Sequence, residues 1–360
     1  AVAGCLYTQT IGLKYFGVSA TNLTAIGMNF FVFLLCTPLR SYFIKSSSSK
    51  IPVIKHKINH VSSSTPDRKF SLLLIFIFAY SGMAALASEI LWTRVLVFPM
   101  GTTLNSFALI LATFLFGIAL GSIMADKLLG NSNHVLKFLL IQLSIAVLCI
   151  AILPLFENLH EWTSKADQLF YDLDNMALKT IGIRSLFAFG LMFLPTLGFG
   201  LSFPLANRIN INLFKTNSKT LGNTYALNTI GGTLGTIITP FILIPLMGIR
   251  MSLFLIYSIL IFLCFVAMAI HFKWNDKNFV KSGFIATTII FLGYIWSNPK
   301  ISTEQLGSHN LARIEIDTPK SQLKLIEYIE GDFSTLSVIE NKKSKARTLY
   351  MNGFSTATVS

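Results

Sequence analysis

Residues 71–94, SLLLIFIFAYSGMAALASEILWTR, form an apolar run with one acid, Glu89, in its second half, and leave on Trp92 and Arg94. A carboxylate inside such a run is expensive to keep ionised, so it needs a partner, a proton or a water-filled cavity. At helical spacing Gly82, Leu86, Glu89 and Thr93 share one face. Arg94 points elsewhere, so Glu89 and Arg94 do not pair within this helix. Two readings stay open. Glu89 belongs to a polar site between helices, or it is a structural hydrogen-bond anchor while Arg94 snorkels to the interface. Asn105, Asn228 and Thr239 complete the polar candidates, the last two on one face with Gly231 and Gly235.

A second candidate lies in LFAFGLMFLPTLGFGLSFPLAN. Pro195, Gly198, Gly200 and Pro204 disturb the regular helical ladder there, and a broken membrane helix is tolerated only where protein or a cavity satisfies the freed backbone groups. A simple kink is the alternative. The four cysteines, Cys5, Cys36, Cys149 and Cys264, lie within apolar runs without metal-like spacing. They read as small buried residues, and no metal ligand set is expected.

The elements that position these residues follow from composition. Hydrophobic residues make up 53% of the chain and charged residues 12%, with mean hydropathy +0.63. This is a polytopic membrane protein. The net charge of +13 does not point to nucleic acid, because the basic residues sit mainly in loops, where they set orientation. A bilayer crossing needs ~20 apolar residues. Such runs are expected at 21–38, 71–94, 104–124, 136–155, 185–206, 222–246 and 251–270. Thr113, Gly117 and Gly121 form a small-residue stripe for close helix packing. The run 136–155 is expected to end at Pro154, and the acidic loop 156–184 fits the outer face. The run 283–296 is short and leans toward a further crossing.

Residues 1–18 recur at 232–249. Gly4 corresponds to Gly235, Thr8 to Thr239, Ile11 to Ile242 and Gly17 to Gly248, at one constant offset. The organisation expected is therefore the end of a first membrane repeat at 1–38, a basic linker at 39–70, a six-helix repeat at 71–273, a short apolar helix at 274–299, and the incomplete β part of a soluble domain at 300–360. Short runs rich in Ile, Leu, Val, Tyr and Thr, separated by turn signals at 330–332 and 341–345, mark the strands. The fold class is mainly α, a transmembrane helix bundle with an internal six-helix repeat followed by the start of a small β domain. The chain reads as an internal piece of a longer protein. Two such halves also resemble the arrangement of major facilitator transporters.

Several segments together resemble the membrane-embedded spermidine synthase-like proteins, also called fused transporter/spermidine synthases. They are SGMAALASEILWTRVLVFPMG, FLFGIALGS, FLPTLGFGLSFPLANR, NTYALNTIGGTLGTIITPFILIPLMGIR and YIEGDFSTLSVIENKKSKARTLYMNGFSTATVS. The resemblance implies a multi-span inner-membrane domain followed by an aminopropyltransferase-like domain. Decarboxylated S-adenosylmethionine would be the substrate of the Rossmann-like fold beyond Ser360, and this stretch would hold no cofactor and be catalytically silent. Polyamines or another small cation are the implied partners, beside the bilayer. The substrate hairpin maps to Asn352, Gly353 and Thr356. Asn352–Gly353 match the family's pattern, while Thr356 stands where the family carries a glutamine. The runner-up is a solute transporter or sensor with a regulatory soluble domain.

Overall fold

A computed structural model describes residues 2–47, 68–100, 104–129, 133–169, 183–214, 218–271, 323–352 and 354–359. The expected segment 283–296, the linker beyond Ser47 and Gly353 lie outside the described residues. The chain divides into two compact units, 1–66 and 67–360.

In the first unit, α1 (Val2–Tyr7) passes into a π-helical stretch, Thr8–Phe16, and then into α2 (Gly17–Ser47). Gly17 has φ 72°, ψ 178°, a region essentially reserved for glycine. The hydroxyl of Thr21 donates to the Gly17 carbonyl at 2.7 Å. The helix continues through Pro38, where the sequence suggested its end.

The second unit contains α3 (Arg68–Met100), α4 (Leu104–Leu129), α5 (His134–Leu169), α6 (Ile183–Phe214), α7 (Ser218–Ile238) and α8 (Ile244–His271). A π turn at Thr239–Leu243 joins the last two. Gly248, inside α8, has φ 78°, ψ 172°, and Ser252 donates to its carbonyl at 2.5 Å. Thr8 and Thr239 thus both open a π segment. Gly17 and Gly248 share one left-handed conformation, and Thr21 and Ser252 bond back to them alike. The repeat seen in the sequence is a repeat of backbone conformation.

Gly248 turns the chain back on itself. α7 runs parallel to α3, with Gly231 against the Ala79 carbonyl and Gly235 against that of Met83. The rest of α8 runs antiparallel to α3. Phe70 stacks on His271 at 5.5 Å, and the Tyr80 hydroxyl donates to the Ile256 carbonyl at 2.8 Å. Among the described residues, six helical stretches are long and apolar enough to cross a membrane. Leu72, Phe76, Phe116, Ile123, Leu194 and Leu246 are exposed on the bundle, which lipid accommodates. This is a multi-pass membrane helix bundle.

Association of apolar helices in lipid relies on close packing more than on a hydrophobic drive. Glycines provide it. A Cβ on Gly121 would meet the Leu197 carbonyl, one on Gly200 that of Ile118, and one on Gly198 the Ile145 side chain. Buried polar groups add a few fixed bonds. Gln142 donates to Ser202 at 3.1 Å, and Ser88 bonds the Tyr257 hydroxyl. Two boundaries differ from expectation. α5 passes through Pro154 to Leu169, and α6 passes through Pro195 and Pro204. Hydroxyls ease the strained turns of α6, with Thr196 donating to the Met192 and Phe193 carbonyls and Ser202 to that of Gly198.

The sheet is an antiparallel meander of β1 (Leu323–Glu330), β2 (Thr335–Asn341), β3 (Arg347–Met351) and β4 (Phe354–Val359), in order β1-β2-β3-β4. Thr335, Ser337, Ile339 and Tyr350 form its buried side. Glu340 faces Arg347 across the β2–β3 ladder, with Nε donating to the carboxylate at 2.9 Å. That hydrogen bond holds the Glu340 carboxyl below its ordinary range. The pair's contribution to stability is therefore present above the ordinary carboxylate pKa and is lost as pH falls through the depressed value. Arg347→Ala should move the Glu340 titration upward, read by carbon NMR of glutamate-labelled protein. An unmoved midpoint means that the pair does not form in solution.

Candidate functional site

Glu89 lies near the end of α3 at which the sheet docks. It lines a cavity of about 380 Å³ with Ile90, Thr93, Arg94, Phe107, Phe333 and Asn352. Three stretches distant in sequence build it. α3 contributes one wall through helical spacing, since Glu89, Ile90, Thr93 and Arg94 fall within little more than a turn. The start of α4 contributes Phe107. The sheet contributes the β1–β2 turn, carrying Phe333, and the β3–β4 turn, carrying Asn352.

Two contacts hold the β1–β2 turn on the helix ends. Arg94 Nη1 donates to the Gly331 carbonyl at 2.5 Å. The Ile249 amide, the first after the Gly248 kink, donates to Glu330 Oε2 at 2.6 Å. Glu330 therefore caps the N-terminus of a restarted helix, where exposed amides and the helix dipole favour an anion. Its other oxygen accepts from the Tyr328 hydroxyl at 3.0 Å. Burial, reinforced by the Glu330 charge, pushes the Tyr328 phenol up, so it remains a donor throughout the physiological range. Phe333 meets Phe241 edge-on at 6.1 Å.

Asn352 takes a left-handed conformation, φ 49°, which asparagine tolerates better than most residues. Its amide donates to the Thr335 carbonyl at 2.8 Å, and its Oδ1 accepts from the Thr335 amide at 2.9 Å. The β3–β4 turn is thereby pinned to the start of β2.

Arg94 and Glu89 line the same cavity without pairing, as their spacing implies. Arg94 reaches protein and does not snorkel to a bare interface. Glu89 is part-buried. Thr93 Oγ1 donates to its backbone carbonyl at 2.6 Å, while its carboxylate has no hydrogen-bond or ion-pair partner among the described residues.

The other candidates do not join this site. Asn228 packs against Gly82, two turns before Glu89 and so roughly 10 Å away along the axis. Of the polar neighbours the sequence suggests for Glu89, the proline-disturbed α6 or the Asn228 face, the packing of α3 on α7 sets Asn228 apart, at Gly82. Thr239 is fully buried at the π turn, and its hydroxyl has no hydrogen-bond partner among the described residues. Pro195, Gly198, Gly200 and Pro204 belong to an unbroken α6, and both glycines serve helix contact, so no helix break exists there to form a site. Thr356 is exposed in β4 and donates to the Leu349 carbonyl at 2.9 Å. Asn105 lies in the first turn of α4.

The sequence places Thr93 on the Glu89 face but does not single out Phe107 and Phe333 as lining of the same cavity, nor Glu330 as part of the clamp beside it. A signal existed. The turn EGDF places two acids beside a large aromatic, an odd choice for a turn in water and a natural one for a turn that docks. No group of acids, histidines and cysteines able to hold a metal occurs among the described residues. No protein-family model matches the chain, and neither a curated protein nor a solved structure is significantly similar to it.

Proposed function

We propose that this chain is the membrane part and adjoining β-sheet of an inner-membrane, spermidine synthase-like protein that handles polyamines. Its full-length form would act as an aminopropyltransferase or as a polyamine-related binder, and decarboxylated S-adenosylmethionine would be the co-substrate of a transferase. The observation that supports this reading is the clamp between sheet and bundle. Glu330 on the Ile249 amide and Arg94 on the Gly331 carbonyl make the sheet a wall of the same cavity that the membrane helices line. A domain merely tethered to a membrane anchor has no need of such a shared wall.

The test is binding of tritiated spermidine to the purified protein in lipid nanodiscs. Saturable binding, displaced by putrescine and spermine and not by neutral amino acids, is expected. Absence of saturable binding by any of the three amines overturns the polyamine reading.

The transporter reading has one observation of its own. The α–π–glycine interruption occurs at corresponding positions of two repeats, and paired interruptions mark substrate sites in repeat-built transporters. Uptake of spermidine into proteoliposomes, above that of empty vesicles, would favour it over the enzyme.

A further inference from the structure

We infer that the cavity between α3, α4 and the sheet is a binding site for an organic ammonium ion, with Glu89 as its counter-charge. The inference takes its substrate class from the polyamine reading and its position from the geometry alone. The charges decide the sign of the ligand. Arg94 donates to the Gly331 carbonyl, and the carboxylates of Glu330 and Asp332 lie close enough to act on its charge. Arg94, the one cation lining the cavity among the described residues, is therefore already answered. Glu330 is itself engaged on both oxygens, by Ile249 and by Tyr328. Glu89 alone faces the cavity without a partner among the described residues.

An unanswered carboxylate in a partly apolar pocket favours a positive guest. Thr93 Oγ1 gives its hydrogen to the Glu89 carbonyl, so toward the cavity it offers lone pairs, which suit N–H donors. Phe107 and Phe333 add aromatic faces for a cation or for its methylene chain, and Ile90 adds an aliphatic surface. The volume of about 380 Å³ falls in the range of small-molecule sites. A bare metal ion fits poorly, because hard cations gather six or more oxygens and the described lining offers one carboxylate.

The experiment combines two variants in nanodiscs with spermidine as the probe and butylammonium as a second probe. Glu89→Gln should weaken spermidine binding by at least about tenfold, the loss expected for one charge-assisted hydrogen bond. Thr93→Cys, with Glu89 intact, should react with a maleimide above the background of the unaltered chain, and spermidine should protect it. This second variant decides the matter should Glu89→Gln fail to fold. Saturable spermidine binding with neither weakening nor protection removes the inference and leaves the polyamine reading standing. Protection by butylammonium without saturable spermidine binding does the reverse. Absence of protection by both amines overturns the site.

Discussion

Gly248→Ala should destabilise the protein more than Gly17→Ala, although the two glycines hold the same backbone conformation. Each alanine is forced into a backbone region essentially reserved for glycine, at a cost of about 1–3 kcal/mol. Around Gly17 a new Cβ meets nothing within 4 Å, so the penalty ends there. Around Gly248 the Cβ comes to 2.8 Å from Glu330 Oε2, the oxygen that accepts from the Ile249 amide. The carboxylate must move, and the helix restart loses its cap, which is worth about 1 kcal/mol more. Thermal unfolding of both variants in one detergent gives the comparison. Hydrogen exchange at residues 249–252 gives the mechanism, with faster exchange expected in Gly248→Ala. Equal losses for the two variants would mean that the sheet contributes nothing to the kink.

The second large effect is expected at the crossing of α3 and α7. Gly235→Val places a Cβ against the Met83 carbonyl oxygen. Backbone cannot yield as a side chain does, so the helices must separate. Overpacking of this kind costs about 1–3 kcal/mol, and in lipid no hydrophobic drive compensates for lost contact. Gly4→Val, at the corresponding position of the first repeat, meets nothing within 4 Å and should stay within about 0.5 kcal/mol of the parent. Melting temperature and the monodisperse fraction on size exclusion are the readouts. A tolerant Gly235 would show that the α3–α7 approach is looser than its glycines imply.

The sequence made some of this architecture legible and hid the rest for definite reasons. The membrane runs were readable because roughly 20 consecutive apolar residues leave few alternatives. The repeat was readable because Gly17 and Gly248 hold one unusual backbone conformation that other residues resist, with Thr8 and Thr239 at the same spacing before them. Helix ends were less readable. Pro154, Pro195 and Pro204 look like stops, yet membrane helices accommodate proline where neighbouring groups ease the strain. The site was half legible. Glu89 stands out because its charge is out of place, whereas its neighbours do not. Phe333 and Glu330 meet the helices through contacts made across most of the second unit, and no local pattern reports such a distance. Asn228 and Thr239 drew notice for polarity in an apolar run, but Asn228 proves to be a packing partner of Gly82.

The placement of the sheet bears on the parity of the chain. α8 ends at His271 beside Phe70, where α3 begins, and His134, Lys137 and Arg208 gather near one another at the starts and ends of helices on that same side. The sheet clasps Arg94 and Ile249, at the opposite ends of their helices. Among the described residues, α3 to α8 bring the chain back to the end of the bundle where α3 begins, while the sheet sits at the other end. A bilayer lying across α3–α8 would give the basic tips and the sheet two different solutions, each with its own pH, ions and metabolites. Whatever enters the Glu89 cavity would then be drawn from a pool that Lys127 and Lys137 do not meet.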